Sequence, residues 1–317
     1  MSKPQLLLIG GATQRMLDAV GAVFEIHATA PDNRADVIAA QGAEIEAVLH
    51  VGHDGVTAEQ IAKMPKLRII SNYGVGYDAI DTQAAVARGI VVTHTPDVLN
   101  DDVANTAILL LLAVSRNFVA DHAHLMAGKW ETEGSAPLTR SIHGLTAGIL
   151  GLGRIGKMVA EKLAPFGVSV AYNGRSKQDV PYRYYADLTE MAKDIDILIC
   201  VAPGGAATHH LINADVMNAL GPRGILINIG RGSVVDETAL ITALSEGRLG
   251  AAGLDVFESE PHVPAELMAL PNATLLPHVA SATVETRQAM GDLAVENLLS
   301  FQSTGKTKTP VPECKDM

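Results

Sequence analysis

Short apolar runs alternate with stretches of mixed apolar and polar residues along almost the whole chain. In the first third, the intervening stretches, such as Thr57–Lys63 and Thr82–Arg88, have the composition of helices. The apolar runs between them predict four strands, at Leu6–Ile9, Ala47–Leu49, Arg68–Ser71 and Ile90–Thr93. Because strands that alternate with helices usually pair in parallel, this pattern predicts a doubly wound α/β sheet.

A long helix interrupts the alternation. The segment Asp101–Arg116 places its apolar residues on one helical face. Asp101 and Asp102 are expected to cap its N-terminus, where the helix dipole favours negative charge. The stretch Gly128–His143 is polar, contains the only tryptophan, Trp130, and is expected to be irregular.

A second series of apolar runs begins at Leu145 and predicts six more strands. They are Leu145–Leu150, Val168–Tyr172, Ile195–Val201, Gly224–Ile229, Ala251–Leu254 and Ala273–Leu276. Six is the number expected for a complete dinucleotide-binding sheet. We therefore expect two α/β units, with a boundary near Val98–Asp102 and a ligand cleft where they meet. A last amphipathic helix is predicted over Val284–Ser300, and the polar tail Ser303–Met317 is expected to be loosely held.

Composition and charge narrow the class of protein. A chain of 317 residues has the length of two domains, and its 48% hydrophobic and 19% charged residues exclude a disordered chain. The net charge of −11 makes nucleic acids and anionic membranes poor partners. Two widely spaced cysteines, Cys200 and Cys314, predict a reducing compartment without disulfides. Because no apolar run has the length of a signal peptide or a membrane span, we expect a cytoplasmic protein.

The string Gly151-Leu-Gly-Arg-Ile-Gly156 is a glycine fingerprint for dinucleotide binding, since an apolar strand leads into it and a helical pattern leads out. Gly151 would permit the tight turn, Gly153 would let the backbone approach a pyrophosphate, and Gly156 would let helix and strand pack closely. The helix N-terminus would present unpaired N–H groups to the phosphates. The alternative is a glycine-rich turn that binds no ligand.

The end of the following strand indicates which dinucleotide binds. An NAD site normally has an acidic residue there for the ribose 2′-hydroxyl, but Tyr172-Asn-Gly-Arg-Ser-Lys177 contains none. Arg175 could pair with a 2′-phosphate, Ser176 could donate a hydrogen bond to it, and Lys177 adds positive charge. These residues predict NADPH in preference to NADH, with a solvated basic turn as the alternative.

Three segments that each end a predicted strand carry Arg231, Glu260 and His278. Ligands of open α/β sheets bind beyond the carboxyl ends of the strands, so these side chains could converge. Reduction of a 2-oxo acid needs a cation for the carboxylate, which Arg231 could supply. It also needs an acid for the carbonyl oxygen, which suits His278, with Glu260 fixing the imidazole tautomer. Each residue alone has an ordinary structural explanation, and only the combination predicts catalysis.

With these motifs in this order, the chain resembles the D-isomer-specific 2-hydroxyacid dehydrogenase family over nearly its full length. The matching strings are Ser71-Asn-Tyr-Gly-Val-Gly-Tyr-Asp78, Gly151-Leu-Gly-Arg-Ile-Gly156, Asn228-Ile-Gly-Arg-Gly232, Leu254-Asp-Val-Phe-Glu-Ser-Glu-Pro261 and Pro277-His278 through Ser281-Ala-Thr. The resemblance implies a flavodoxin-like substrate domain of residues 1–98 plus 286–317 and a Rossmann dinucleotide-binding domain of residues 99–285. It also implies that Arg231, Glu260 and His278 are the family's substrate-binding Arg, supporting Glu and acid–base His.

The same resemblance implies further ligand contacts. Backbone N–H groups of Val75 and Gly76 would hold the substrate carboxylate together with Arg231 and His278, and Asp255 would contact the nicotinamide carboxamide. Trp130 would lie on an arm that reaches the second subunit of a homodimer. The residues expected to line the cofactor are Gly151, Gly153, Arg154, Ile155, Gly156, Asn173, Arg175, Ser176, Ala202, Pro203, Thr208, Ile229, Arg231, Asp255, His278 and Ser281.

The predicted activity is NADPH-dependent reduction of glyoxylate or hydroxypyruvate to a D-2-hydroxy acid. Hydroxyphenylpyruvate and phenylpyruvate are alternative substrates for the same mechanism. A dinucleotide-sensing scaffold is an alternative function on the same fold.

No metal is expected, because His122, His124 and the pair His209-His210 have no cysteine or acid at zinc spacing. His209-His210 is expected to open a helix, and Cys200 is expected to be a core residue. The remaining histidines predict no constellation. They are His27, His50, His53, His94, His143 and His262.

Overall fold

The computed structural model describes residues 3–52 and 54–317, so His53 lies outside the described residues. In chain order the strands are β1 (Gln5–Ile9), β2 (Glu25–Thr29), β3 (Ile45–His50), β4 (Ile69–Asn72), β5 (Val91–Thr93), β6 (Thr146–Leu150), β7 (Ser169–Asn173), β8 (Arg183–Tyr185), β9 (Ile197–Cys200), β10 (Ile225–Asn228), β11 (Ala251–Leu254) and β12 (Ala273–Leu275). The helices are α1 (Gln14–Gly21), α2 (Arg34–Gln41), α3 (Ala58–Ala62), α4 (Thr82–Ala87), α5 (Asn100–Ser115), α6 (Phe118–Met126), α7 (Lys129–Glu133), α8 (Arg154–Leu163), α9 (Leu188–Asp194), α10 (Ala214–Leu220), α11 (Glu237–Ser245), α12 (Ala265–Met268) and α13 (Val284–Thr304).

The chain separates into two compact units, one of Met1–Leu99 with Thr283–Met317 and one of Asn100–Ala282. The first unit is discontinuous in sequence, since α13 and the tail follow the whole second unit. Each unit contains one parallel sheet with its own apolar core. The predicted fold class, two parallel-sheet α/β units, is confirmed. The assignment of substrate to the first unit and dinucleotide to the second stays a prediction.

The first unit is built on a five-stranded parallel sheet in the order β2-β1-β3-β4-β5, which is the flavodoxin-like order. The run Leu6–Ile9 in β1 is buried throughout, as expected for a central strand of a parallel sheet. The sequence pattern does not predict β2, because Glu-Ile-His-Ala-Thr contains no continuous apolar run. This strand lies at the edge of the sheet, and only Thr29 at its end is buried.

The second unit has a seven-stranded parallel sheet in the order β12-β11-β10-β9-β6-β7-β8. From β8 to β11 this is the 3-2-1-4-5-6 order of dinucleotide-binding folds, extended by β12. All six predicted strands are present, and β8 is an unpredicted strand of three residues at the sheet edge. Cys200 ends β9 as a fully buried core residue, and burial raises the pKa of its thiol to about 12.

The long helix α5 begins one residue earlier than predicted. Asp101 and Asp102 therefore lie inside its first turn rather than at the cap. Asp101 forms an ion pair of 2.8 Å with Lys162 of α8.

Among the described helices, none is by itself long and apolar enough to cross a membrane. Helices α5 and α6 meet both criteria only when taken together, as a pair bent by 61°.

Helix α7 corrects the prediction that Gly128–His143 is wholly irregular. Gly128, with a φ of +71°, separates α7 from α6, and an ion pair of 3.3 Å between Lys129 and Glu133 spans the single turn of α7. Neither α6 nor α7 has a buried residue. With few apolar positions and no buried face, α7 lacks the pattern that identifies a helix in a sequence.

The C-terminal tail is fixed to the first unit, so the prediction of a loosely held segment is wrong. Pro310 forms a β-bridge with Thr93 of β5, and Val311 and Cys314 are buried. Oδ1 of Asn297 in α13 accepts two backbone N–H groups of the tail, at 2.9 and 3.0 Å. Two separated buried residues, the β-bridge and the bonds to Asn297 together anchor the tail, although its composition is polar.

Candidate active site

The glycine string connects the end of β6 to α8, as predicted. Gly151 has a φ of +97°, which favours glycine. A Cβ on Gly156 would overlap the carbonyl oxygen of Gly151, so glycine is required for the helix to lie this close to the turn. A Cβ on Gly153 would meet nothing within 4 Å, so there is open space beside the backbone at this position.

The N-terminus of α8 has the properties of a phosphate site. The helix begins at Arg154, and Gly153 at the cap has no side chain to pair with the N–H groups of the first turn. Arg154 is exposed and Ile155 is half-buried. The positive end of the helix dipole and the outward-facing N–H groups of the first turn both favour an anion, so these residues fit the pyrophosphate of a dinucleotide.

The turn after β7 carries the residues that are predicted to recognise a 2′-phosphate. Nδ2 of Asn173 donates to a carbonyl oxygen of β8 at 2.9 Å, and Nε2 of Gln178 donates to a carbonyl oxygen in the glycine turn at 2.8 Å. These two bonds fix the turn at both ends. Between them Arg175, Ser176 and Lys177 are exposed.

The loop after β9 lies beside the glycine turn, at the point where the strand order reverses. Ala202 is buried and Pro203 is exposed. Oγ1 of Thr208 donates to the carbonyl oxygen of Pro203 at 2.7 Å and closes the loop. A Cβ on Gly230 would lie 2.6 Å from the carbonyl oxygen of Ala202, so the loop after β10 runs directly against this one.

Arg231 lies between two glycines in the loop after β10, and Ile229 before them is buried. A Cβ on Gly232 would overlap the backbone at Phe257, so the Arg231 loop also touches the loop after β11. Asn228, the last residue of β10, holds the loop because its Nδ2 donates to the carbonyl oxygen of Arg231 at 2.9 Å. Its Oδ1 accepts a loop N–H group at 3.0 Å. Asn228 belongs to the string Asn228-Ile-Gly-Arg-Gly232, but its residue type and position in the sequence do not predict this role.

Glu260 and His278 are brought together as predicted. Nδ1 of His278 donates to Oε2 of Glu260 at 2.7 Å, and Oε1 of Glu260 accepts the N–H of Phe257 at 3.0 Å. Their side chains are 20% and 25% exposed, so a ligand can reach them. Because a carboxylate only accepts hydrogen bonds, the pair puts a hydrogen on Nδ1 and makes Nε2 the ring nitrogen able to exchange a proton with a ligand.

Asp255 anchors the loop that carries His278. Its Oδ1 accepts the N–H of Val279 at 2.8 Å, and its Oδ2 accepts the N–H of Ala280 at 2.9 Å. Burial raises the pKa of Asp255, and the two N–H groups oppose that shift. These bonds support the unusual φ of +53° at His278. Asp255 is fully buried, and half-buried Ser281 follows in the same loop.

His209 and His210 lie in a turn, and α10 begins only at Ala214, so the prediction that this pair opens a helix is wrong. Nε2 of His210 bonds Oε1 of Glu258 at 2.6 Å. Within the described chain, His209, His210 and Glu258 have potential metal-ligand atoms within 4.8 Å of one another. The two imidazole planes, however, stack at 27° with centroids 3.8 Å apart. Their in-plane lone pairs therefore run side by side instead of converging on one ion.

In the first unit, the loop after β4 carries Val75 and Gly76. Within residues 3–52 and 54–317, their N–H groups have no hydrogen-bond acceptor. Their carbonyl oxygens are occupied, by Nδ1 of His94 at 3.0 Å and by Nδ2 of Asn72 at 2.9 Å. Successive unpaired N–H groups suit an anion. His94 and His50, which the sequence leaves outside any constellation, both belong to the network around this loop.

Comparison with known proteins points to one family. Residues 108–280 match the model of the D-isomer specific 2-hydroxyacid dehydrogenase NAD binding domain. The hydroxyphenylpyruvate reductase of Plectranthus scutellarioides is 48% identical over 284 residues, which cover 89% of this chain and 90% of that protein. The glyoxylate/hydroxypyruvate reductase A HPR2 of Arabidopsis thaliana is 47% identical over 268 residues, with coverage of 84% and 85%.

A solved structure agrees with these relatives. The NADPH-dependent glyoxylate/hydroxypyruvate reductase SmGhrB from Sinorhizobium meliloti, in complex with NADP and malonate, has a TM-score of 0.91 and 44% sequence identity. The match covers 99% of this chain and 98% of that one.

Proposed function

Because the chain belongs to the D-isomer-specific 2-hydroxyacid dehydrogenase family, we propose that it is an NADPH-dependent reductase of small 2-oxo acids. Glyoxylate and hydroxypyruvate are the substrates proposed first, and the products are D-2-hydroxy acids. The observation that carries this function is the hydrogen bond between His278 and Glu260 in the loops beyond the strand ends of the second unit. The relatives named as glyoxylate/hydroxypyruvate reductases support the substrate class.

NADPH is the proposed cofactor because the turn after β7 is cationic where an NAD site would be acidic. Arg175 supplies a planar fork for the 2′-phosphate, Ser176 supplies a hydroxyl, and Lys177 adds charge. The turn is tied at both ends, so these residues are presented without a large entropic cost of ordering. The relative SmGhrB, bound to NADP, supports this choice.

A bound NADPH supplies the hydride for the carbonyl carbon. His278 supplies the proton for the carbonyl oxygen from Nε2, while Nδ1 keeps its hydrogen bond to Glu260. The Glu260 carboxylate stabilises the imidazolium before the transfer and holds the neutral tautomer after it. Asp255 keeps the His278 loop in place through the N–H groups of Val279 and Ala280.

Arg231 of the second unit is proposed as a ligand of the substrate carboxylate, and so, separately, are the N–H groups of Val75 and Gly76 of the first unit. Arg231 is held on a loop flanked by glycines and fixed by Asn228, which limits its backbone freedom. The Val75 and Gly76 N–H groups lack an acceptor among the described residues. A carboxylate would satisfy these donors, because successive N–H groups of one loop suit an anion.

Hydroxyphenylpyruvate is a second candidate substrate, favoured by the 48% identity to the hydroxyphenylpyruvate reductase of Plectranthus scutellarioides. It would use the same acid and the same carboxylate contacts. A panel of glyoxylate, hydroxypyruvate, pyruvate and hydroxyphenylpyruvate, each with NADPH and with NADH, tests the proposal. Turnover with NADPH on the small acids is expected, and a higher kcat/KM on the aromatic acid would favour the second candidate. Absence of turnover on all four would contradict the proposed function.

The exposed apolar surface of α6, α7 and the segment after them supports a homodimer. It is defined by Phe118, Val119, Leu125, Met126, Trp130 and Leu138, and we call it the arm. Several large apolar side chains left exposed on neighbouring segments are typical of an interaction surface. We therefore propose that the arm contacts a second copy of the chain.

The cytoplasm is the proposed compartment, because a reducing environment suits the two buried free cysteines.

A further inference from the structure

The loop Gly74–Gly76 is held through its carbonyl oxygens. Nδ2 of Asn72 donates to the carbonyl oxygens of Gly74 and Gly76, at 3.1 and 2.9 Å. The N–H of Thr95 also donates to the carbonyl oxygen of Gly74, at 2.9 Å. Nδ1 of His94 bonds the carbonyl oxygen of Val75. With every carbonyl oxygen of the three residues engaged, the peptide planes cannot rotate freely. Among the hydrogen bonds of residues 3–52 and 54–317, the Asn72 side chain bonds two of these three carbonyl oxygens.

His50 sets the orientation of the Asn72 amide. The backbone N–H of Gly55 donates to Nε2 of His50 at 3.1 Å, so the ring hydrogen is on Nδ1. Nδ1 then donates to Oδ1 of Asn72 at 2.7 Å. This bond commits the amide oxygen to His50 and turns the NH2 group toward the loop. Both side chains are almost completely buried.

The second unit contains the same arrangement. Asn72 is the last residue of β4, and Asn228 is the last residue of β10. Each amide donates to a carbonyl oxygen of the loop that follows its own strand. Asn228 thereby holds the loop of Arg231, the other proposed carboxylate ligand.

We propose that Asn72 and His50 are positioning residues for substrate binding. They fix the Gly74–Gly76 backbone so that the Val75 and Gly76 N–H groups are preorganised for the carboxylate of a 2-oxo acid. This inference rests on the proposed function. Since the bonds involve backbone carbonyls, neither side chain itself has to touch the substrate.

Asn72→Leu tests the proposal, because leucine keeps the branching pattern of asparagine and has no hydrogen-bonding group in its side chain. KM for glyoxylate should rise at least tenfold, kcat should fall by a smaller factor, and the Kd for NADPH should stay within twofold. The matched control is Ser71→Ala, which removes a buried hydroxyl bond to Ala294 from the preceding residue of the same strand. The control should lower Tm without changing KM. An unchanged KM in Asn72→Leu would overturn the proposal.

His50→Phe tests whether His50 orients the Asn72 amide. It should raise KM for glyoxylate about threefold, and the double variant with Asn72→Leu should be no worse than Asn72→Leu alone, since coupled residues are not additive. If the two substitutions multiply each other's effect on KM, the role of His50 is overturned.

If Asn72→Leu does not fold, Asn72→Ser, which keeps one donor, should show an intermediate KM, and a wild-type KM would contradict the proposal. If the wild-type protein reduces no 2-oxo acid, the proposed function fails instead.

Discussion

Nδ1 of His278 lies 2.7 Å from Oε2 of Glu260, although the two residues are 18 positions apart in the sequence. The other carboxylate oxygen is held by the N–H of Phe257 at 3.0 Å. Glu260 therefore cannot rotate away without losing both bonds. The pair fixes the imidazole with Nε2 as its proton-exchanging atom, which is the arrangement a general acid requires.

Glu260→Gln should lower kcat for glyoxylate by roughly ten- to a hundredfold, less than loss of the acid itself would. The amide can still accept the Nδ1 hydrogen bond but carries no charge to stabilise the imidazolium. Glu258→Gln is a matched control in the same loop, since Glu258 bonds His210 instead. Steady-state kinetics of the two variants checks this, and equal losses in both would contradict a special role for Glu260.

Arg175→Ala should raise the Kd for NADPH by roughly tenfold or more, as expected for loss of a charge-assisted hydrogen bond. The Kd for NADH should stay the same, because NADH has no 2′-phosphate. Fluorescence titration with both dinucleotides gives the comparison. Arg183→Ala, on the neighbouring strand and paired with Asp194, should change neither value. Equal weakening of both cofactors by Arg175→Ala would show that this turn does not discriminate.

Acid should destabilise the protein partly through His50. Burial is the main cause that lowers the pKa of His50 below its ordinary value of 6.5, with Arg34 adding to the shift and Asn72 and Asp54 opposing it. Below pH 6.5 the unfolded chain binds a proton that the folded chain does not, so the free energy of unfolding falls as the pH drops toward the lowered pKa. Tm should therefore fall more between pH 7.5 and 5.5 in the wild type than in His50→Phe. Equal falls would contradict a neutral buried His50.

The arm should be the dimer contact. Met126 is 72% exposed in the single chain, and Met126→Glu places a charge on that apolar surface. Sedimentation velocity should show dimers for the wild type and monomers for the variant. Met268→Glu, at a methionine that is 61% exposed outside the arm, should remain dimeric. A wild-type monomer, or a Met126→Glu dimer of unchanged affinity, would rule out this interface.

The sequence predicts the fold wherever strands are central and apolar. Ala251–Leu254 agrees with the structure at both ends, and the other predicted strands differ only at their ends. The edge strands β2 and β8 are missed because each buries only its last residue and neither contains a continuous run of buried apolar residues. The tail is misjudged for a related reason, since its anchoring depends on Val311, Cys314 and the distant Asn297.

The sequence likewise predicts some residues of the candidate site and misses others. Gly151, Gly156 and the pair of Glu260 and His278 are found from the sequence because their chemistry demands particular residue types. Asn72 and Asn228 escape notice, since an asparagine at a strand end has no distinctive pattern until its partners are known. The contacts of Asp255 are also not predictable from the sequence. Both of its carboxylate oxygens accept backbone N–H groups after His278, and no spacing rule predicts that contact.

The most direct test of the proposed chemistry is the rate of NADPH oxidation with glyoxylate by wild type and His278→Ala, with the Kd for NADPH measured on both. The variant should lose roughly 10²- to 10⁴-fold in kcat and keep its affinity for NADPH, because only the proton donor is removed. His262→Ala, an exposed histidine next to the Glu260–Pro261 segment, should retain wild-type kcat. A His278→Ala enzyme with near wild-type kcat would contradict the assignment of His278 as the acid.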